Sequence, residues 1–180
     1  MNDRAVSNEY GKALFMLSKE SGNTEKLLLD VKLANEIFLK NPEYVKLLDT
    51  PAITKAEKLA LVDEAFTSLD ESVKNLIKIL CERHSVFSFG EIAKTYFALY
   101  DESRGIEHVE AVTAIAMTKT QLDAIKAKLA KITGKHIIIK NTVDPAILGG
   151  VKIRYSGIQL DGSVKTRLDK FEEGLKNTVI

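Results

Sequence analysis

The spacing of apolar residues changes at residues 101–105, and this change limits the folds open to the chain. Before it, apolar residues recur at the three-to-four-residue period of one face of an α-helix. From Ile106 onward the sequence is rich in β-branched residues, and Val151, Ile153 and Tyr155 alternate with charged residues, as in a half-buried strand. The pattern therefore predicts two domains, residues 1–105 and residues 106–180.

Six apolar stripes, separated by turn-forming or capping residues such as Gly22, Pro42, Pro51 and Asp70, predict six helical elements in residues 1–105. Thr54 with Glu57 forms a capping box at the start of the fourth, whose stripe extends to Phe66 and Leu69. Ser88, three residues before a glutamate, is the predicted cap of the sixth. Because the six stripes can close on one another, we expect a six-helix bundle.

The sequence pattern of residues 106–180 predicts a small α/β domain. Thr118 caps a helix that ends at Gly134, and His136–Val143 reads as a compact apolar strand. A hairpin adds two more strands, and Ser163 opens a final helix. The predicted fold class is therefore α+β, with an N-terminal six-helix bundle followed by a small α/β domain that has a short sheet and two helices.

Turn-forming residues frame the hairpin and predict structural positions rather than chemistry. Aspartate in turns and caps forms local hydrogen bonds, and glycine permits positive φ or a close backbone approach. We assign these structural roles to Asp144, Pro145, Gly149, Gly150, Asp161, Gly162 and Ser163.

Composition limits the class of protein. The 180 residues are 45% apolar and 28% charged with a net charge of +1, which suits globular domains and argues against a dedicated nucleic-acid binder. No apolar run approaches the about 18 residues that span a bilayer, and the N-terminus lacks a signal-peptide core. A single cysteine, Cys81, fits a reducing cytoplasm.

Residue types that carry catalysis are present but not grouped. His84, His108 and His136 lie on three different predicted elements, and Cys81 falls on a buried stripe. Gly149-Gly150 is not followed by the Gly-Lys-Ser/Thr of a phosphate-binding loop. We therefore expect no catalytic residue, no cofactor and no metal.

Two separated motifs carry a resemblance that covers the whole chain. Residues 143–150 read VDPAILGG, followed by VKIR and LDGSVKTRL, and residues 9–18 read EYGKALFMLS. Both are similar to the delta subunit of F-type ATP synthases, the bacterial relative of the mitochondrial oligomycin-sensitivity-conferring protein. Gly11 stands where that family usually has alanine.

The resemblance implies a non-catalytic stator subunit of the proton-translocating ATP synthase, peripheral on the cytoplasmic face of the bacterial plasma membrane. It implies that the helical domain binds the catalytic head and that the C-terminal domain holds the end of the b-subunit stalk. In the family, a groove between the first and fifth helices receives the N-terminal helix of the head's alpha subunit. On this sequence the groove corresponds to Tyr10, Ala13, Leu14, Leu17, Leu76, Ile77 and Ile79.

A second interpretation stays open from the residues alone. Gly149-Gly150 and Asp161-Gly162-Ser163 could hold a phosphorylated ligand in a small α/β enzyme or regulatory module.

The proposed boundary predicts that residues 1–105 fold alone, because their apolar stripes can be buried without the β-strands. The fragment should be soluble, give a helical circular dichroism spectrum and still bind the head. An unfolded spectrum would place the boundary elsewhere.

Overall fold

The computed structural model describes residues 3–155, 157–166 and 168. The chain divides into two compact units, which we call the helical unit, residues 1–100, and the mixed unit, residues 101–180. The helical unit contains a series of helices joined by short connections. They are α1 (Asp3–Glu20), α2 (Thr24–Lys40), α3 (Pro42–Asp49), α4 (Lys55–Ala65), α5 (Glu71–Glu82), a 3-10 helix (Val86–Ser88) and α6 (Phe89–Arg104), whose end falls in the mixed unit.

The chain has an α+β fold, but the predicted six-helix bundle is wrong. A further helical segment, the 3-10 helix, precedes α6, and Ser88, the predicted cap of the sixth helix, lies inside it. The fourth helix ends at Ala65, so Phe66 and Leu69 are buried in the connection after it rather than on its stripe. α3 has only 8 residues.

A contact between distant parts of the chain explains the extra segment. The carboxylate of Asp49 accepts hydrogen bonds from the backbone N–H groups of Val86, at 2.8 Å, and Phe87, at 3.2 Å. These groups begin the 3-10 helix, where N–H groups lack helical partners. Local sequence could not predict the segment, because its cap lies on another helix.

Aromatic rings join the elements of the helical unit. The ring of Phe38 on α2 lies 6.2 Å from Tyr44 on α3, 5.4 Å from Phe66 and 5.1 Å from Phe89 on α6, between ring centroids. Such pairs stabilise beyond their buried area by about 0.5–1.5 kcal/mol each. Phe38 is therefore the ring that these three aromatic contacts share.

Gly11 allows α1 and α6 to approach closely. A Cβ atom at this position would lie 2.6 Å from Cβ of Thr95 and 2.9 Å from the carbonyl oxygen of Ile92. Both distances are shorter than a van der Waals contact, so an alanine would require the two helices to separate. The glycine that departs from the family's usual alanine is thus explained by packing.

The mixed unit combines the helix α7 with a sheet. Thr118 and Gln121 form the predicted capping box, and Gly134 ends the helix with φ 69°, so both terminal predictions are confirmed. The elements are β1 (Ile106–Thr113), α7 (Lys119–Thr133), β2 (His136–Val143), β3 (Val151–Tyr155) and β4 (Ile158–Asp161).

The sheet is mixed, with strand order β2-β1-β3-β4. β1 and β2 are parallel and are connected through α7, as parallel pairing requires a crossover. β3 pairs antiparallel with β1 and with β4. Val109, Leu129 and Ile137 form the buried core between α7 and the sheet.

The predicted final helix begins within the described residues but continues outside them. Residues 164–166 and 168 are helical, and Ser163 accepts a hydrogen bond from the backbone N–H of Thr166 at 3.3 Å. The inward-facing Phe171 and Leu175 predicted for this helix lie outside the described residues. Among the helices described, none has the length and apolar content to cross a bilayer.

Gly11→Ala should destabilise the helical unit by about 1–3 kcal/mol, because overpacking at the α1–α6 contact outweighs the roughly 1 kcal/mol helix-propensity gain. Urea denaturation followed by circular dichroism measures this. Gly90→Ala on α6 is the matched control, since its nearest contact would be at 3.8 Å. Equal stability of the two variants would contradict the packing argument.

Candidate partner-binding surfaces

One face of α1 carries apolar residues that the helical unit does not bury. Tyr10, Ala13 and Leu17 follow Val6 at intervals of four, three and four residues, which places them on one face of the helix. Tyr10 is half-buried, Ala13 is exposed, and the side chain of Leu17 is 51% exposed. Leu14, in contrast, is buried in the core of the unit.

The fifth helix shows the same division. Leu76 and Ile77 are buried, whereas Ile79 is 42% exposed. α5 packs against α1, so two neighbouring helices each expose apolar side chains. Of the seven groove residues predicted from the sequence, three are therefore core, and Tyr10, Ala13, Leu17 and Ile79 retain accessible surface.

A shallow depression lies along the first half of α1. Its volume is about 700 Å³, and its lining residues are Ala5, Val6, Asn8, Glu9, Tyr10, Lys12 and Ala13.

 Val6 and Ala5 were not among the predicted residues, although the spacing of Val6 from Tyr10 places it on the same helix face.

The turn that follows β2 is held by local hydrogen bonds. Asp144 accepts a bond from the N–H of Ala146 through Oδ1, at 3.0 Å, and from the N–H of Ile147 through its carbonyl, at 3.1 Å. Pro145 lies inside this turn. Asp144 thus acts on its own backbone, as aspartate commonly does in turns.

Gly149 and Gly150 pass close to the start of the last helix. Gly150 has φ 83°, and a Cβ atom there would lie 2.5 Å from the carbonyl oxygen of Gly162. The N–H of Val164 donates to the carbonyl of Gly149 at 3.0 Å, and that of Gly162 donates to Val151 at 3.0 Å. The turn at Gly149-Gly150 and the turn at Gly162 are therefore in backbone contact, although β3 and β4 separate them in sequence.

Asp161 fixes the end of the hairpin. Its Oδ1 accepts a hydrogen bond from the N–H of Ser163 at 2.9 Å, and its Oδ2 lies 3.2 Å from Nζ of Lys152. The hydrogen bonds from Ser163, with the help of Lys152, hold the pKa of the Asp161 carboxyl well below its ordinary value. The carboxylate therefore stabilises this turn through local hydrogen bonds.

Cys81 is buried on α5, and burial raises the pKa of its thiol to about 11. Because the thiolate is the reactive form, a thiol with this pKa is a poor nucleophile at neutral pH.

The mixed unit also exposes apolar residues beside the two glycines. Ile115 and Leu148 are exposed, and with Met117 they line a depression of about 470 Å³ that includes Gly149 and Gly150. Ile115 and Leu148 were not predicted from the sequence, because each lies in a loop where periodicity does not indicate which side chains are buried.

Both units expose apolar side chains, and exposed apolar patches are typical of surfaces that contact other proteins. Comparison with known proteins identifies the class. The model of the ATP synthase delta (OSCP) subunit family matches residues 6–175. An ATP synthase subunit delta from Clostridioides difficile is 32% identical over 176 residues, covering 97% of each chain. The subunit delta of Priestia megaterium is also 32% identical, over 97% of each chain.

A solved structure shares the fold. A chain of the Toxoplasma gondii mitochondrial ATP synthase hexamer superposes with a TM-score of 0.71 at 21% identity, covering 94% of this chain and 96% of that one. The chain belongs to the ATP synthase delta (OSCP) subunit family. It is a non-catalytic subunit of the peripheral stalk of a membrane complex that couples proton transport to ATP synthesis.

Gly150→Ala should destabilise the mixed unit more than Gly157→Ala does. Both residues have similar positive φ, 83° and 77°, so both substitutions incur the roughly 1–2 kcal/mol cost of the left-handed region. Only the first adds a backbone clash, since nothing lies within 4 Å of a Cβ at Gly157. Hydrogen exchange of β3 amides measures the difference, and equal protection in the two variants would contradict it.

Proposed function

We propose that the helical unit binds the N-terminal helix of the alpha subunit and that the mixed unit holds the C-terminal end of the b-subunit stalk. In this arrangement the subunit lies on the cytoplasmic face of the bacterial plasma membrane. The predicted domains, residues 1–105 for the head and 106–180 for the stalk, are part of the same proposal.

The observation that carries the proposal is that two neighbouring helices each expose apolar side chains. Ala13 and Leu17 on α1 and Ile79 on α5 are exposed, although their buried neighbours already supply the core of the unit. An amphipathic helix binds by placing its apolar face on such a surface. A small residue such as Ala13 lets the incoming backbone approach closely.

The mixed unit offers a separate apolar surface. Ile115, Met117 and Leu148 line the same depression as the two glycines, and the turn that carries the glycines is held by backbone contacts. A rigid apolar surface suits a long-lived contact, because little conformational entropy is lost when a partner binds. These residues are the proposed contact for the b stalk.

The mechanical role sets the strength that the joint needs. Rotation of the central stalk applies torque to the head, so the stator must hold the head against it. A dissociation constant of about 1 nM corresponds to about −12 kcal/mol. Slow dissociation supplies most of such an affinity, and well-packed apolar anchors slow it.

The alternative, a site for a phosphorylated ligand, finds little support in the same turns. A phosphate site at a helix start needs free backbone N–H groups. Here the N–H groups of Gly162, Ser163 and Val164 donate to Val151, Asp161 and Gly149. Because these donors are already used within the unit, the geometry favours the stator subunit.

Ala13→Trp should abolish binding of a peptide with the sequence of the alpha subunit's N-terminal helix. The side chain at this position is exposed, so the large indole blocks the surface without overpacking the core. The melting temperature should therefore stay within about 2 °C of the wild type, as for most surface substitutions. Isothermal titration calorimetry and a melting curve measure the two quantities.

Ala127→Trp on α7 is the control, since Ala127 is also exposed on a helix but lies in the mixed unit. It should leave peptide binding unchanged. Binding of the b stalk should survive Ala13→Trp, because the proposal places that contact on the mixed unit. Retained peptide affinity in Ala13→Trp would remove Ala13 from the surface.

A further inference from the structure

A cavity in the helical unit lies apart from the α1 surface and is independent of the proposed function. Its volume is about 350 Å³, within the range of small-ligand sites of about 300–1,000 Å³. The wall combines apolar residues of the α3–α4 connection and α4 with polar groups of α4 and α5. Its lining is Pro51, Ile53, Lys55, Lys58, Leu59, Cys81, Glu82 and His84.

Lys58 is the unusual member of this lining. Its side chain lies on α4 and the residue is only 3% exposed. Lysines are seldom buried so completely unless an acidic group pairs with them. Among the residues that the structure describes, no carboxylate forms an ion pair with Lys58, and its hydrogen-bonding contact is with the ring of His84.

Nδ1 of His84 cannot form hydrogen bonds with both of the groups that lie next to it. Nδ1 of His84 lies 3.3 Å from Nζ of Lys58 and 2.9 Å from the carbonyl oxygen of Asp49. A ring nitrogen carries either a hydrogen or a lone pair, so it can donate to the carbonyl or accept from the ammonium, but not both. When it donates to Asp49, the Lys58 ammonium lacks that acceptor.

The backbone of His84 supports a specific role for the ring. His84 has φ 50°, the left-handed region that glycine prefers at helix ends. It follows the C-terminus of α5, where the N–H of Ser85 donates to Leu80 at 3.0 Å. A histidine here carries conformational strain, and strain of this kind is concentrated at functional sites.

The acidic groups near the cavity are already paired. The Asp49 carboxylate accepts from Val86 and Phe87, and Oε1 of Glu82 lies 2.9 Å from Nζ of Lys55. Both partners of that ion pair are substantially exposed, so they neutralise each other at the rim. Neither carboxylate forms an ion pair with Lys58, which lines the cavity.

We propose that this cavity binds a small organic anion, whose carboxylate or phosphate oxygens pair with the ammonium of Lys58. The apolar part of the anion contacts Pro51, Ile53 and Leu59. Binding gives the buried ammonium a charged acceptor and leaves Nδ1 of His84 free to donate to Asp49. Charge-assisted hydrogen bonds of this type are the stronger ones in proteins.

Titration of the full chain with sodium butyrate, followed by amide NMR shifts, tests the proposal at constant ionic strength. Saturable shifts should be confined to residues that line the cavity. Inorganic phosphate as a second probe distinguishes the head groups, and butylamine, with the same tail and the opposite charge, should not bind. Shifts spread over exposed lysines, or none with either anion, would overturn the site.

Lys58→Met should weaken butyrate binding at least about tenfold, because a hydrogen bond to a charged group is lost. The variant should melt no lower than the wild type, since replacing a buried charge with an apolar side chain is often neutral or stabilising. Lys46→Met is the control, because Lys46 on α3 pairs with Glu43 and lies outside the cavity. Butyrate affinity retained in Lys58→Met would refute the role of Lys58.

Discussion

The ring of Phe38 on α2 is the contact on which the helical unit depends. It meets Tyr44, Phe66 and Phe89, which lie on or beside three other helices. Because Phe66 and Phe89 are far from Phe38 in sequence, these ring contacts can form only when the elements are assembled together. The surfaces available to partners are the helix faces that remain outside this core.

α1 contributes to the core on one side and keeps accessible apolar surface, the surface proposed for a partner, on another. Gly11 lies against Thr95 and Ile92 of α6, so the helix is held at close range on one side. On another side, Ala13 and Leu17 stay accessible. A helix fixed in this way presents its exposed face with little freedom to move, which reduces the entropy lost on binding. Rigidity of this kind suits a stator that must resist torque.

The mixed unit uses backbone contacts where the helical unit uses side chains. Gly150 approaches Gly162 so closely that no Cβ fits, and the N–H of Val164 completes the contact by donating to Gly149. In the same region, the carboxylate of Asp161 accepts a hydrogen bond from the backbone N–H of Ser163. These groups are used within the unit, and this explains why a motif rich in glycine and aspartate here is structural rather than catalytic.

The sequence by itself determined the α+β class, the strand at His136–Val143 and the helix between Thr118 and Gly134, because local periodicity and capping residues act within a few positions. Its motifs also indicated the family. Only the tertiary structure decided that Leu14 is core whereas Leu17 is accessible, since both are apolar residues of α1 and neighbouring elements determine which of them is covered. The 3-10 helix required Asp49 for the same reason: its cap comes from a residue distant in sequence.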